Sequence, residues 1–323
     1  MRAFEAYRGV DALVLGGGGF IGTWVAATLA HAGASVTVSA RHRETATAAL
    51  AQHGVRCEVR AFDLAHPGEA ARLLAALRPA IVFNLVGYGV DPRERDEALA
   101  ARLNTELVAE LAEHVQVHAG WRGQALVHAG SALEFGVQDG DFAEAWTCQP
   151  TTTYGRTKLA GSEALRRTSL RRGIKAVSAR LFTVYGPGEH SGRLLPTLLR
   201  ARASGEPIPL TAGLQKRDFT YVGDVAHGLL RLGVLHEALP TRALNLATGK
   251  LATVREFVET AADELGIDRA RLQFGALPTR VEEMSHAPVS VRALEAAVGW
   301  KPAITIRQGL LETLAFERRH GAS

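Results

Sequence analysis

Little in this chain of 323 residues suggests export, a membrane or a metal. Its two cysteines, Cys57 and Cys148, are too few for a disulfide framework and lack metal-ligand spacing. A reducing cytoplasm is therefore the expected location. No run of roughly 18 consecutive apolar residues occurs, so no membrane span is expected. Met1 to Val10 carries Arg2, Glu5 and Arg8 with no apolar stretch after a basic start, which predicts no secretory signal. His118, His128, His190 and His227 are scattered without metal spacing, and no metal is expected. Internal repeats and low-complexity tracts are missing as well. A formal charge of +4 and a pI near 9.3 raise the question of nucleic acid. The arginines form no basic block and have no interleaved aromatics, so nucleic acid is not an expected partner. Some of them can instead converge on an anionic small molecule.

What is present is an ordinary globular composition, 47% hydrophobic and 22% charged, long enough for one large domain or two smaller ones. Short apolar runs over 12–15, 35–39, 56–62, 80–85, 125–129 and 175–181 alternate with helical patterns over 21–32, 44–52, 69–77, 98–114 and 153–171. Strands apolar on both faces, alternating with helices, predict an α/β fold: a doubly wound parallel sheet covered on both sides. After Tyr185 glycines and prolines break the pattern into short pieces. The division this suggests is a dinucleotide-binding Rossmann domain over 1–181, to which 219–248 returns. A smaller α/β substrate-binding domain then comprises 182–218 and 249–323.

The first strand runs into Gly16-Gly17-Gly18-Gly19-Phe20-Ile21-Gly22, and a helix opens there. Gly16, Gly19 and Gly22 permit a tight turn and close approach of backbone to a pyrophosphate, whose charge the N–H groups around Phe20 and Ile21 can meet. An acid ending the second strand would select NAD, because a carboxylate accepts from the ribose 2′-hydroxyl. Here Ala40-Arg41-His42-Arg43 follows instead. Arg41 and Arg43 are either solvated or placed to grip a 2′-phosphate, and NADP (NADPH) is favoured over NAD. Asp63, with Leu64 beside it, follows the third strand; it can contact the adenine or simply cap the next turn.

Tyr154 and Lys158 lie four apart in a helix-forming stretch and so share one face. A nearby ammonium should lower the phenol pKa and let the tyrosine exchange a proton with a carbonyl or alcohol oxygen. The spacing by itself is common. It gains weight from following the fifth strand of a glycine-loop domain, with Ser131 upstream at a strand end, where its hydroxyl can bond the reacting oxygen.

These residues resemble the extended short-chain dehydrogenase/reductase family of nucleotide-sugar epimerases, dehydratases and reductases, over nearly the whole chain. Gly16 to Gly22 looks like the family's glycine loop, with Leu15 where threonine is usual. Asn84-Leu85 resembles its fourth-strand motif, Asn104 stands at its helix asparagine, and Ser131 precedes Phe135-Gly136 as the catalytic Ser/Thr precedes Tyr-Gly. Arg180 to Gly188 is similar to R-x-F-N-V-Y-G-P-G, with Thr183 in place of asparagine, and Arg217 to Ala226 to R-D-F-x-Y-V-x-D-V-A. Asn245 to Gly249 and Val298 to Pro302 complete the order. The resemblance implies Leu85 and Asn104 near the cofactor, and Thr183, Arg193, Arg217 and Arg280 near a substrate diphosphate. Pro288 replaces an aspartate usual after that last segment.

Family dehydratases follow the catalytic Ser/Thr with Asp-Glu, the pair that eliminates water, whereas Ala132-Leu133 follow Ser131 and cannot transfer a proton. Dehydration is not expected. The expected reaction is NADPH-dependent reduction of a ketone, at C4, on a nucleotide-activated 4-keto-6-deoxy sugar of deoxysugar biosynthesis. A nucleotide-sugar 4-epimerase using the same residues is the alternative. A cofactor-sensing regulator is a third reading, against which the intact Tyr154/Lys158 pair speaks. A homodimer is expected, with Ala164 and Leu165 serving either a helix-pair interface or the core.

Overall fold

Seven strands carry the core: β1 (Asp11–Leu15), β2 (Ser35–Ala40), β3 (Glu58–Ala61), β4 (Ile81–Asn84), β5 (Leu126–Ser131), β6 (Ala176–Leu181) and β7 (Ala243–Leu246). In the computed structural model, which describes residues 2–91, 93–237, 243–278 and 286–320, they form one parallel sheet ordered β7-β6-β5-β4-β1-β2-β3. The chain starts mid-sheet, winds out to β3, then reverses through β4. This is the doubly wound Rossmann arrangement expected, and its switch point lies between β1 and β4.

Both faces of the sheet are dry, which is why the strands are nearly continuous apolar runs. Val14, Val38, Phe83, Val127 and Val177 point into one core, against the helices Phe20–His31 and Val222–Gly233. Their neighbours Leu13, Leu15, Val82, Leu126 and Ala176 point into the other, against Glu69–Leu77 and Leu107–His114. Successive strand residues face opposite sides, so each side builds its own core. Each such Val, Leu or Phe contributes about 1.5–3 kcal/mol by leaving water. Ala164 and Leu165 are 8% and 1% exposed within the chain itself, so burial alone accounts for them.

Several boundaries differ from the periodicity. Strand β3 is shorter than 56–62, and β5 runs two residues beyond Ala129, so Ser131 is its last residue rather than a loop residue. The helix over 97–114 is irregular: its middle turn, Arg102–Glu106, is a π-turn. That turn lets Asn104 serve two neighbours at once. Its amide donates to Tyr88 O at 2.7 Å and to Thr157 Oγ1 at 3.0 Å, while its Oδ1 accepts from Tyr88 N at 3.0 Å.

The helix Thr153–Arg172 starts on Thr152, whose hydroxyl accepts from Gly155 N, and stops at Gly173 in the left-handed region. Two of its glycines are forced by packing. A Cβ on Gly155 would lie 2.3 Å from Leu133 O, and one on Gly161 2.0 Å from Asn104 O. Beyond β6 the chain forms short paired segments: Thr183–Tyr185 with Phe219–Tyr221, Ile208–Leu210 with Leu272–Phe274, and Lys216–Arg217 with Ala252–Thr253. Among the described residues, no helix is long and apolar enough to cross a membrane.

Candidate active site

The carboxyl ends of β1, β4 and β5 lie side by side in the sheet. At the end of β1, Gly16 sits at φ 71°, and a Cβ on Gly22 would lie 2.2 Å from Gly16 O. Gly17 and Gly18 are pressed equally hard: a Cβ on either would come within 2.7 Å of Val38 or Ala46. The loop therefore folds back on itself and hands the chain to a helix whose N-cap, Gly19, offers no capping side chain. The first N–H groups around Phe20 and Ile21 have no intrahelical partner by the nature of a helix start. This is a cradle that fits a dinucleotide pyrophosphate.

At the end of β2, Arg41 and Arg43 are exposed, and neither guanidinium has a partner among the described residues. No carboxylate ends that strand. Asp63 is exposed and caps its own turn, its Oδ1 accepting from Ala65 N at 3.1 Å, while Leu64 is buried beneath it. Of the two roles open to Asp63, capping is the one this geometry displays.

The loop after β4 lies over the proposed proton-transfer pair. A methyl on Gly87 would be 3.9 Å from Lys158 Nζ, and one on Gly89 3.4 Å from the Tyr154 ring. Asn104 holds that loop to the helix through Tyr88 and Thr157. Leu85 anchors its start, donating its N–H to Leu15 O at 3.0 Å. Asn104 thus fixes the position of the loop.

Ser131, Tyr154 and Lys158 meet at the end of β5. Ser131 lies near enough to Tyr154 for its hydroxyl to act on the phenol. Lys158 is 2% exposed. Burial draws its ammonium down to about 8, and the Glu134 carboxylate holds it up against that pull. The phenol departs from expectation. Burial, and after it Glu134, push Tyr154 above its ordinary range, and the Ser131 hydroxyl only partly opposes them. Lys158 is not among the groups that lower it. Tyr154, half-buried beneath the loop after β4, is therefore poised as a protonated donor, because losing the proton there would leave a poorly solvated charge.

Behind the trio stands His128, fully buried and held neutral by burial and by Lys158. Asn84 donates to its Nδ1 at 3.2 Å. Sequence reasoning missed Glu134, which is fully buried. Its signal was the pattern Ser131-x-x-Glu134, a capping box in which each side chain takes the other's backbone N–H.

The arginines are less concentrated. Arg193 pairs with Glu189 at 3.3 Å, and its charge reaches Tyr154. Arg217 lies half-buried in its short ribbon, close enough for its charge to act on His286. Thr183 starts the neighbouring ribbon, its N–H donating to Asp218 O at 3.0 Å. Arg280 lies outside the described residues.

The family model described as "NAD dependent epimerase/dehydratase family" matches residues 12–247. The chain is 31% identical over 314 residues to a dTDP-6-deoxy-L-talose 4-dehydrogenase (NAD(P)(+)) from Kitasatospora kifunensis, covering 93% of both chains. It is 34% identical over 175 residues to a probable dTDP-4,6-dihydroxy-2-methyloxan-3-one 4-ketoreductase from Streptomyces antibioticus, across 53% of this chain and 56% of that one. Among solved structures it superposes on MoeE5 in complex with UDP-glucuronic acid and NAD with a TM-score of 0.80. That pair shares 27% identity over 96% of this chain and 99% of the other.

Proposed function

The chain belongs to the NAD dependent epimerase/dehydratase family, and on that premise we propose that it reduces the C4 ketone of a nucleotide-activated 4-keto-6-deoxy sugar with NADPH. The observation that carries this reading is the pair Ala132-Leu133 after Ser131, which leaves no acid/base pair for expelling water while the proton donor Tyr154 and its neighbours Ser131 and Lys158 are kept. Glu134 is no substitute, since both its oxygens are already bonded inside the protein.

A nicotinamide bound on the glycine loop supplies the hydride in reduction and accepts it in reverse. Ser131 orients the substrate carbonyl, Tyr154 gives its proton to that oxygen, and Lys158 holds the nicotinamide ribose hydroxyls. Residues 182–218 and 249–323 form the substrate side, where Arg193, Arg217 and Thr183 meet the diphosphate; Arg280 would join them. The unpartnered Arg41 and Arg43 support NADP over NAD, because a guanidinium grips a 2′-phosphate in a paired fashion. The relative from Kitasatospora, whose name allows both cofactors, is compatible with that preference.

A 4-epimerase is the second reading. It uses the same trio and is favoured by the likeness to MoeE5, solved with NAD and a UDP-sugar. Absorbance at 340 nm separates the two. With a dTDP-4-keto-6-deoxy sugar and NADPH, one cofactor should be consumed per substrate. A product change on UDP- or dTDP-hexoses with no net absorbance change would replace the reductase reading with the epimerase. Serine at both Arg41 and Arg43 should raise KM for NADPH and leave that for NADH near its starting value.

A further inference from the structure

A buried charge cluster lies directly behind the proton-transfer trio. Glu134 accepts three hydrogen bonds: Oε1 from Ser131 N at 2.9 Å and from Ser162 Oγ at 3.0 Å, and Oε2 from Arg180 Nε at 2.9 Å. Arg180 is 6% exposed and its guanidinium lies 4.6 Å from the centre of the Phe135 ring. Ser178 extends the cluster, 3.0 Å from Ser162. The backbone is cleared for it: a Cβ on Gly130 would sit 2.7 Å from both Glu134 Oε1 and Ser178 Oγ. Glycine before Ser131 is thus required by the carboxylate, since no side chain fits between β5 and β6 there.

Burying an ion pair is costly, and an apolar pair of similar volume is often as stable. The arrangement therefore calls for a reason other than stability. Its position supplies one, since the carboxylate grips the main chain of Ser131 and its charge reaches Lys158.

We propose that Glu134, clamped by Arg180, is a positioning residue that fixes the backbone of Ser131 and serves as the buried counter-charge of Lys158. The inference rests on Ser131, Tyr154 and Lys158 being the working site, but on no particular substrate. The charged and titratable groups facing this site are few. The charge of Glu134 reaches Lys158, and that of Lys158 reaches His128; Tyr154 is within the reach of Glu134, Glu94 and Arg193; Glu134 itself pairs with Arg180, with Cys148 beside that guanidinium at 3.4 Å. Glu134 is thus the group that supports the ammonium form of Lys158, whereas burial and His128's neutrality do not.

The test needs no substrate. The chain carrying 13C-lysine is titrated by NMR at Cε, with Lys158→Arg identifying the resonance. In the parent protein Lys158 should titrate near 8. Glu134→Gln should move that midpoint to lower pH by about one unit, the scale of a lost neighbouring charge, and Glu134→Asp should return it toward the parent. Should Glu134→Gln fail to fold, the double variant Glu134→Leu/Arg180→Met removes both charges together and should give a fall in the same direction, smaller because the opposing Arg180 charge leaves as well. In that double variant the Ser131 amide should also exchange with deuterium about tenfold faster or more, having lost its acceptor. A Lys158 midpoint that stays put in a folded variant, or a Ser131 amide equally protected, overturns the proposal. Neither readout depends on which sugar is reduced, so failure here is distinct from failure of the reductase reading.

Discussion

The Tyr154 ring lies against the loop at Gly89, so it can stay in place when its hydroxyl is removed. Tyr154→Phe should lower kcat by about 10²–10⁴-fold, the usual worth of a positioned acid. The melting-point rise caused by NADPH should be unchanged; an equally active variant would move the proton source elsewhere. Glu189 tests burial directly. Its side chain is 7% exposed, its Oε2 has no partner, and burial raises its carboxyl to about 7 despite Arg193. The folded chain therefore keeps a proton there that the unfolded chain, titrating near 4.5, has released. Stability from this group is complete below the unfolded value and is lost as pH rises through about 7. In urea unfolding, Glu189→Gln should match the parent at low pH and exceed it at pH ~8 by about 1–3 kcal/mol. Parallel curves at both pH values would mean the carboxyl is not desolvated in solution.

At the scale of elements, the glycine loop was legible because its constraint is local. Gly16 needs its left-handed φ, and Gly22 needs the absence of a Cβ that would stand 2.2 Å from Gly16 O. Gly22→Ala should abolish the thermal shift given by NADPH and cost at least ~1 kcal/mol of stability, because backbone, not a flexible side chain, would have to yield. Normal cofactor binding in that variant would remove the loop from the site. The helix over 97–114 was legible only as a helix. Its π-turn exists because Asn104 and Thr105 must satisfy partners on Tyr88 and Thr157, and neither partner is near in sequence. Strand β5 outran its apolar run for a similar reason. Gly130 and Ser131 pair with Arg180 and Leu181 of β6, a ladder that hydrophobicity does not report.

Across the whole molecule, Asp218 ties the substrate-side ribbons to the segment following β7. Its Oδ1 accepts from Thr220 Oγ1, Thr248 N and Thr248 Oγ1, and its Oδ2 accepts from Gly249 N at 2.8 Å. Asp218→Ala would leave the buried Thr220 hydroxyl and the half-buried donors of Thr248 and Gly249 unmet and should cost about 2–4 kcal/mol in urea unfolding. A second, earlier transition is the alternative outcome that would show the two parts uncoupled. Unaltered stability would mean that the junction is held by packing. Asp224 makes a comparable tie, accepting from Ala303 N and Ile304 N at 2.8 Å each.

The amino-acid order by itself determined the parallel sheet, the glycine turn and the helical phase that puts Tyr154 and Lys158 on one face. Each of these depends on neighbours within a turn or a strand's length. Only the tertiary structure decided the ionisation of that pair. Spacing predicted a phenol lowered by its lysine, yet enclosure by the β4 loop, and Glu134 brought in from the capping turn, raise it instead. Desolvation is set by what surrounds a group in space, and here the surroundings come from four separate stretches of chain: 85–89, 104, 128–134 and 180.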